Sequence, residues 1–582
     1  TLLQAGTEYA INYTFQPGVE TVVELYADIY DNDGLGANGG VIVANDKIKA
    51  KLVTGSANAT KLVSLSTMSV PTNDSNASEI VVSSGTATLV ATTSYGNQNV
   101  VIPQQTPFKI GSWTMTAGTA EDINVNGLSF AISAVGGTTF TVANMYDMYA
   151  TYQIGNGAVV TTSTVSSPTA TQPFSVSFTL PKGQTVKIEL FSKLAGTVTA
   201  DNSVRATLTV SGTGAQSGAI VNSAAVPGQT IIAKAGSLSV TFDASTPITA
   251  LVTGESNSVK AAAYKFEAQN DAYSISQLNF TLTGTSAITN FYLKDGSTVI
   301  ASASPATNIT INLSTPITIP ANTSKVINVE LDLGSIGTGA GLMGSGVSVD
   351  LDTIIVRPAS SGEASTKTIA LDPSNKQYVY KSIPTINLVS LSDTRLTVGT
   401  KTLQKFTISA DSKGPIAWNQ IKFNLSRSAA TTVTGLDVIS GASSTAVALY
   451  DGTTLIPGKI TNTTNFSSAG DASNPATLST VLTFVPDVEQ QIAAGTSKTY
   501  ELKVVVAGST AAGTYLMSNI ASDTLQGTGE GVLSSTLTNS NFVWSDMSAQ
   551  GHAAGPSGTA DWTNGYLVKN LPTDTQSLIG SN

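Results

Sequence analysis

Cysteine is absent from all 582 residues. That excludes disulfide staples, thiolate chemistry and cysteine-ligated metals, so a long chain of this kind must be held by its cores and by any ions it binds. Histidine is nearly absent: His552 stands alone in a Gly/Ala stretch. A His-rich zinc site is therefore impossible, and a Ser-His-Asp triad would hang on that one ring. Charge is scarce as well, at 11% Asp, Glu, Lys and Arg, against roughly 25% in ordinary soluble domains. The surface this implies is polar but weakly charged, which suits packing against copies of the same chain. The net charge of −10 comes without a basic patch, which makes nucleic acid and anionic membrane surfaces poor partners. No apolar run reaches the roughly 18 residues needed to cross a bilayer. The chain opens on Thr1 with no signal-peptide pattern, from which we expect a mature secreted chain whose numbering starts after a cleaved leader or within a longer precursor.

What fills the sequence is alternation. Segments such as Leu238–Phe242 (LSVTF) and Asn308–Ser314 (NITINLS) alternate apolar and polar residues and are rich in β-branched side chains. Gly, Asn, Asp and Pro interrupt them at short intervals, as an all-β sandwich requires. The nearest helical candidate, Ser256–Asp271, reads better as a strand, because its second half aligns with strand-like segments elsewhere.

Those alignments define a repeat. Ala263–Leu282 resembles Leu403–Leu425 and Phe108–Ile132: a strand, a polar turn, then a second alternating strand. A variable loop follows, in which Tyr292–Ile300 (YLKDGSTVI) matches Ala448–Ile456 (ALYDGTTLI), each with Asp-Gly placed for a tight hairpin. The unit closes with Thr179–Phe191 (TLPKGQTVKIELF), Thr318–Leu331 (TIPANTSKVINVEL) or Gln491–Val504 (QIAAGTSKTYELKV). The chain's opening, Thr1–Phe15 (TLLQAGTEYAINYTF), reads as another copy of that closing segment with nothing in front of it.

The fold class expected is all-β, as tandem immunoglobulin-like β-sandwich domains. Each unit has about 150 residues with its linker strand, where a minimal sandwich needs ~100. Complete units are placed at 85–235, 236–383 and 384–545, with 1–84 as the second half of a further unit and 546–582 as a Gly/Pro-rich tail. A half sandwich leaves open edges and an uncovered apolar face, an aggregation hazard unless something fills it. Either another chain supplies the missing strands, or linker strands complete the half-unit in cis. The residues expected at that edge are Leu2, Leu3, Tyr9, Ile11, Tyr13 and Phe15.

The tail carries Trp544-Ser545-Asp546, then Asp561-Trp562-Thr563-Asn564-Gly565-Tyr566 and Leu571-Pro572. These strings resemble the C-terminal ends of large secreted proteins of candidate-phyla (Patescibacteria-type) bacteria that also carry tandem Ig-like repeats. The resemblance implies a cell-surface or surface-layer protein and transfers no catalytic residue. Trp544, Trp562 and Tyr566 are expected either at an assembly contact or in a groove of the last sandwich.

Among the acids, Asp28, Asp31 and Asp33 with Asn32 and Gly34 resemble part of a calcium loop, in which hard oxygen ligands converge at a Gly turn. The full spacing is missing, since Ile29 stands at a required position and no Glu closes the loop. Asp350 with Asp352, Glu121 with Asp122, and Asp487 with Glu489 read as solvated strand-face or turn charges. No carboxylate pair lies in a distinctive context, and the G-x-G spacings of Gly334–Gly346 precede no helix that would hold a phosphate.

The sequence thus leads us to expect an extracellular, cell-surface structural protein that is not an enzyme. It would self-assemble as a surface-layer lattice or filament, with calcium as the candidate cofactor. Its partners would be copies of itself, with cell-envelope glycan a further candidate. The rival expectation is a monomeric adhesin binding glycan or host protein through loop tips.

Overall fold

The computed structural model describes residues 9–26, 46–83, 85–436, 440–442, 446–470, 474, 477–525, 539–555 and 559–581. Sequence alternation becomes strand over most of 46–581, whereas Tyr9–Tyr26 carries no strand, and short 3-10 turns stand at Val142–Asn144 and Thr285–Ala287. The chain forms two compact bodies, Thr1–Lys234 and Ala235–Asn582.

In the first body, β1 (Lys47–Leu52) pairs with β4 (Ser75–Val81), and β2 (Ala59–Thr60) forms a hairpin with β3 (Thr67–Met68). A complete sandwich follows. Its strands are β5 (Ala87–Ala91), β6 (Gln98–Ile102), β7 (Gln104–Ala117), β8 (Ile123–Val135), β9 (Met145–Ile154), β10 (Val160–Thr161), β11 (Thr171–Leu180), β12 (Thr185–Leu194), β13 (Ser203–Gly214), β14 (Ile220–Asn222) and β15 (Val226–Ala235). One sheet runs β10-β9-β12-β7-β5 and the other β11-β8-β13-β15-β6. Period-2 burial along β13 sends Val204, Ala206, Leu208 and Val210 inward, where they join Trp113, Phe130, Ile188 and Leu190 in one core.

The second body repeats that plan. Its first sandwich has β16 (Ser237–Phe242), β17 (Ala250–Thr253), β18 (Val259–Gln269), β19 (Tyr273–Thr283), β20 (Ile288–Asp295), β21 (Thr298–Ala303), β22 (Asn308–Ile319), β23 (Ser324–Leu333), β24 (Ser345–Pro358), β25 (Ser365–Thr368) and β26 (Gln377–Tyr380). The sheets are β16-β18-β23-β20-β21 and β17-β26-β24-β19-β22, which match the preceding unit strand for strand. The segment at Ser256–Asp271 is indeed a strand, β18, and the Asp295-Gly296 hairpin joins β20 to β21.

The last sandwich contains β27 (Pro384–Leu388), β28 (Gly399–Ala410), β29 (Ile416–Arg427), β30 (Thr431–Val433), β31 (Ser440–Ala442), β32 (Val447–Asp451), β33 (Thr454–Leu455), β34 (Gly458–Asn462), β35 (Ser479–Pro486), β36 (Gln490–Ile492), β37 (Ser497–Gly508), β38 (Tyr515–Asn519), β39 (Phe542–Ser545), β40 (Trp562–Asn564) and β41 (Gln576–Ile579). One sheet is β27-β28-β37-β32-β33, and the other runs β31-β34-β35-β29-β38-β41. In this order β41 holds the place beside β38 that β15 holds beside β13 and β26 beside β24. The stretch 546–582, set apart from the unit at 384–545 as a Gly/Pro-rich tail, supplies the strand that closes that sandwich. Leu516 of β38 lies opposite Leu578 of β41, and both are fully buried.

Candidate interaction sites

The opening of the chain takes its geometry from a turn. The Val19 amide donates to the Gln16 carbonyl at 3.2 Å, and Gly18 has φ +75°. The same bond closes the turn before β12, from Gln184 to Pro181 at 3.0 Å across Gly183 at φ +72°. Asn322 (φ +58°) and Gly495 (φ +68°) hold the left-handed position in the other two units. This sets Tyr9–Tyr26 (YAINYTFQPGVETVVELY) against Phe174–Phe191 (FSVSFTLPKGQTVKIELF) without a gap. In this alignment Tyr9, Ile11, Tyr13 and Phe15 correspond in sequence to residues of the edge strand β11, and Val19–Tyr26 to residues of β12, a register later than the one expected from Thr1–Phe15, although Tyr9–Tyr26 itself forms no strand.

The next two strands extend the correspondence. In β1/β4, Lys47, Ile48 and Lys49 face Val81, Ile80 and Glu79, with a bulge between Lys49 and Lys51. In β13/β15, Ser203, Val204 and Arg205 face Ile232, Ile231 and Thr230, with a bulge between Arg205 and Thr207. A bulge at the same step of the same ladder identifies β1 and β4 as counterparts of β13 and β15.

Burial is where the two sets part. Val204, Leu208, Ile231 and Leu190 are at 0% exposure in the complete sandwich, whereas their counterparts Ile48, Leu52, Ile80 and Leu25 are exposed at 39, 48, 59 and 61%. Tyr9, Ile11, Tyr13 and Phe15 are exposed too. In the complete unit β8 lies between β11 and β13, and β12 lies between β7 and β9. No described residue fills those places for the first segment. Leu2, Leu3 and the acids Asp28, Asp31 and Asp33 lie outside the described residues. Among the described residues, no three His, Asp or Glu side chains gather as metal ligands.

The C-terminal residues meet inside the second body. Trp544 and Trp562 are buried. Trp544 packs at 5.1 Å from the Tyr380 ring, and its indole N–H donates to the Asn564 carbonyl at 2.8 Å. Tyr566 meets Tyr378 edge-on at 6.1 Å. Since Tyr378 and Tyr380 belong to β26, these aromatics join the last sandwich to the one before it. In this conformation neither Trp presents a surface to a second chain. The Lys381 amide donates to Asp546 Oδ2 at 2.8 Å, and Lys413 Nζ donates to the Gly254 and Glu255 carbonyls at 2.9 and 2.6 Å across the same joint.

His552 also has a setting the sequence did not suggest. Its Nδ1 lies 2.8 Å from Asp561 Oδ2, its Nε2 is 3.2 Å from both Glu489 oxygens, and its ring stacks on Trp562 at 5.5 Å. Ser545 Oγ donates to the same Asp561 oxygen at 3.0 Å, and Thr559 donates to Oδ1. Burial pushes Asp561 up, but bonds from Thr559, His552 and Ser545 outweigh it and hold the carboxyl below its usual range. Asp546 goes the other way, pushed up to about 6 by burial and by the neighbouring Asp561 charge. Ser545, His552 and Asp561 are thus together, but both ring nitrogens face carboxylates and Ser545 bonds the aspartate. The arrangement holds a loop in place and leaves no ring nitrogen facing a hydroxyl nucleophile.

Glu121 likewise differs from the solvated charge expected. It is buried and accepts the amides of Gly85, Gln216 and Ser217, each at 2.9 Å, and the Ser217 hydroxyl at 2.6 Å. Asp271 takes the Ser360 hydroxyl at 2.5 Å at the matching turn of the next unit. Asp352 accepts from Thr281, while burial, Asp352 and Asp372 raise the carboxyl of Asp350. A groove at the joint of the second body is lined by Ser335, Ile336, Thr338, Lys381, Met547 and Gln550, among others, and no aromatic side chain lines it.

No protein family's sequence profile matches this chain, and no curated protein does. Among solved structures, the C-terminal domain of the Streptococcus agalactiae AgI/II polypeptide BspA aligns at 12% identity and TM-score 0.20, covering 51% of this chain and 99% of that one. BcpA, the major pilin subunit of Bacillus cereus, aligns at 10% identity and TM-score 0.19, covering 50% and 65%. The C-terminal domain of the Streptococcus pyogenes antigen I/II-family protein AspA aligns at 9% and 0.18, covering 51% and 99%. Scores this low carry no part of the argument. The class of the chain, all-β with tandem Ig-like sandwiches, rests on its own sheets and registers.

Proposed function

We propose that this chain is a secreted structural protein of a cell surface, assembling with other polypeptide, copies of itself included, into a lattice or filament. The observation that supports the reading is the series of Ig-like sandwiches, two of them matched strand for strand, in a chain with few charged residues. The mechanism is mechanical. Sandwiches in series provide stiffness, and the tail aromatics fix the joint within the second body. Calcium at Asp28, Asp31 and Asp33, read from the sequence alone, would rigidify the segment between the β12-like stretch and β1. We assign the chain no catalysis, since its one histidine is committed to Glu489 and Asp561.

Negative-stain electron microscopy of the purified chain, with calcium and then with chelator, tests the reading. Ordered sheets or filaments are the expected result, and their loss on chelation would support the calcium loop. Dispersed rods at high concentration would overturn assembly and leave the adhesin, binding glycan or host protein through its loops, in first place.

A further inference from the structure

We infer that the outward face of β7, β12 and β9, in the sandwich at 85–235, is a binding site for a polysaccharide chain. Phe191 of β12 stands in register between Lys109 of β7 and Tyr149 of β9, so the three form a row across the sheet. Phe191 and Tyr149 stack at 5.2 Å, and Lys109 Nζ lies 4.6 Å from the ring of Tyr95, which extends the row by one more aromatic. Lys193 and Tyr146 pair in the next row. There Lys193 Nζ is 5.8 Å from the Tyr146 ring, whose hydroxyl donates to Gln105 at 2.7 Å. β12 sends Val186, Ile188 and Leu190 into the core. Tyr95, Tyr146, Tyr149 and Phe191 are half-buried and belong neither to that core nor to the side chains packed against it.

The other two sandwiches show what the fold itself needs at this place. Glu189, Glu330 and Glu501 hold one position on β12, β23 and β37, each in an ion pair with a lysine. Two residues further on, Phe191 gives way to Asp332 and Lys503, and Tyr149 across the ladder gives way to Asn290 and Ala448. Both sandwiches are built without an aromatic pair there. The pair at 85–235 is therefore an addition to one copy, made on a face turned away from its core.

The row offers aromatic surface and hydrogen bonds together. The C–H face of a pyranose packs on aromatic rings. Beside them, Lys109–Glu189 at 2.8 Å, Lys187–Glu189 at 2.7 Å and Lys193–Asp147 at 2.9 Å present donors and acceptors to its hydroxyls. Adjacent strands lie roughly 4.8 Å apart, a step close to one sugar residue of an extended chain. A polysaccharide lying across the strands thus meets one side chain of the row per residue. A protein partner fits less well, because it would strip water from three ion pairs. Sugar hydroxyls take the place of that water.

Affinity electrophoresis of the full chain tests the site, in gels containing hydroxyethylcellulose, glycol chitin or alginate: a neutral glucan, an amino-sugar polymer and a polyuronate. Retardation in at least one gel is expected, and the dissociation constant should rise at least about tenfold in each of two double variants. Phe191→Asp with Tyr149→Asn installs the pair found in the middle sandwich, and Phe191→Lys with Tyr149→Ala the pair found in the last. Both pairs are ones this fold already carries, and thermal unfolding of each variant is read alongside. Where both variants lose the sandwich, Tyr95→Ala, at the end of the row, must weaken retention instead. No retardation in any gel overturns the inference, and so does retardation that the variants leave unchanged. Sheets or filaments from a chain that no gel retards would keep the proposed function and sink this site. Retardation of a chain that never assembles would keep the site and sink the assembly.

Discussion

Glu121 shows what one side chain can fix. Its carboxylate ties the unit's entry at Gly85 to the turn after β13, and a Cβ at Gly85 or Gly214 would collide with it. Burial raises this carboxyl, yet the bonds from Ser217, Gln216 and Gly85 win and depress it. A depressed acid contributes stability that is present above the ordinary carboxylate value and is lost as pH falls through the folded value. Glu121→Gln keeps the shape but loses the charge and one acceptor. It should cost the sandwich at 85–235 on the order of 1–3 kcal/mol in urea unfolding at neutral pH, and less in acid. Asp546 has the opposite sign. With its carboxyl raised to about 6, the protonated form favours the fold, a contribution fully present below the usual range and lost as pH rises through 6. Asp546→Asn should therefore gain on the native chain above pH 6. The difference between their two melting curves carries that step, and a flat difference would contradict it.

At the scale of elements, the strand order asks what β41 does. It occupies the slot of β15 and β26, and Ile579 also bridges to Arg395 in parallel, as β26 runs parallel to β17. Deleting the chain beyond Asp574 should therefore uncover Leu516 and unfold the last sandwich, read as a fall in the unfolding enthalpy of the transition it shares with the sandwich at 236–383. An accessory tail would leave that enthalpy unchanged. This slot was invisible in the sequence, because β41 follows a long Gly-rich stretch and its four residues carry no alternation beyond Leu578. The repeated hairpins were legible, since Asp-Gly and the alternating runs state their geometry locally. The opening register was not. Ala5-Gly6-Thr7 imitates Ala494-Gly495-Thr496, and only a left-handed turn at Gly18 and a shared bulge separate the true match from the decoy. Glu489 and Asp561 were equally hidden, because contact with His552 spans 63 and 9 residues and no spacing rule reaches that far.

Across the whole molecule, the two bodies differ in how their parts are joined. In the second body one hydrophobic core runs without interruption from Leu238 to Leu578 through both sandwiches, and Trp544 sits in it against Tyr380. In the first segment the described residues Leu25, Ile48, Leu52 and Ile80 are exposed. The joint of the second body is thus closed by side chains that its two sandwiches share. The closed joint is testable by itself. Trp544→Ala removes a fully buried ring and should cost about 3–5 kcal/mol. If that ring couples the two sandwiches, calorimetry should show their shared transition dividing into two, with the sandwich at 85–235 unmoved. A single transition that merely shifts downward would mean that the joint is held by the Lys381 and Lys413 bonds instead, and that the aromatics only fill space.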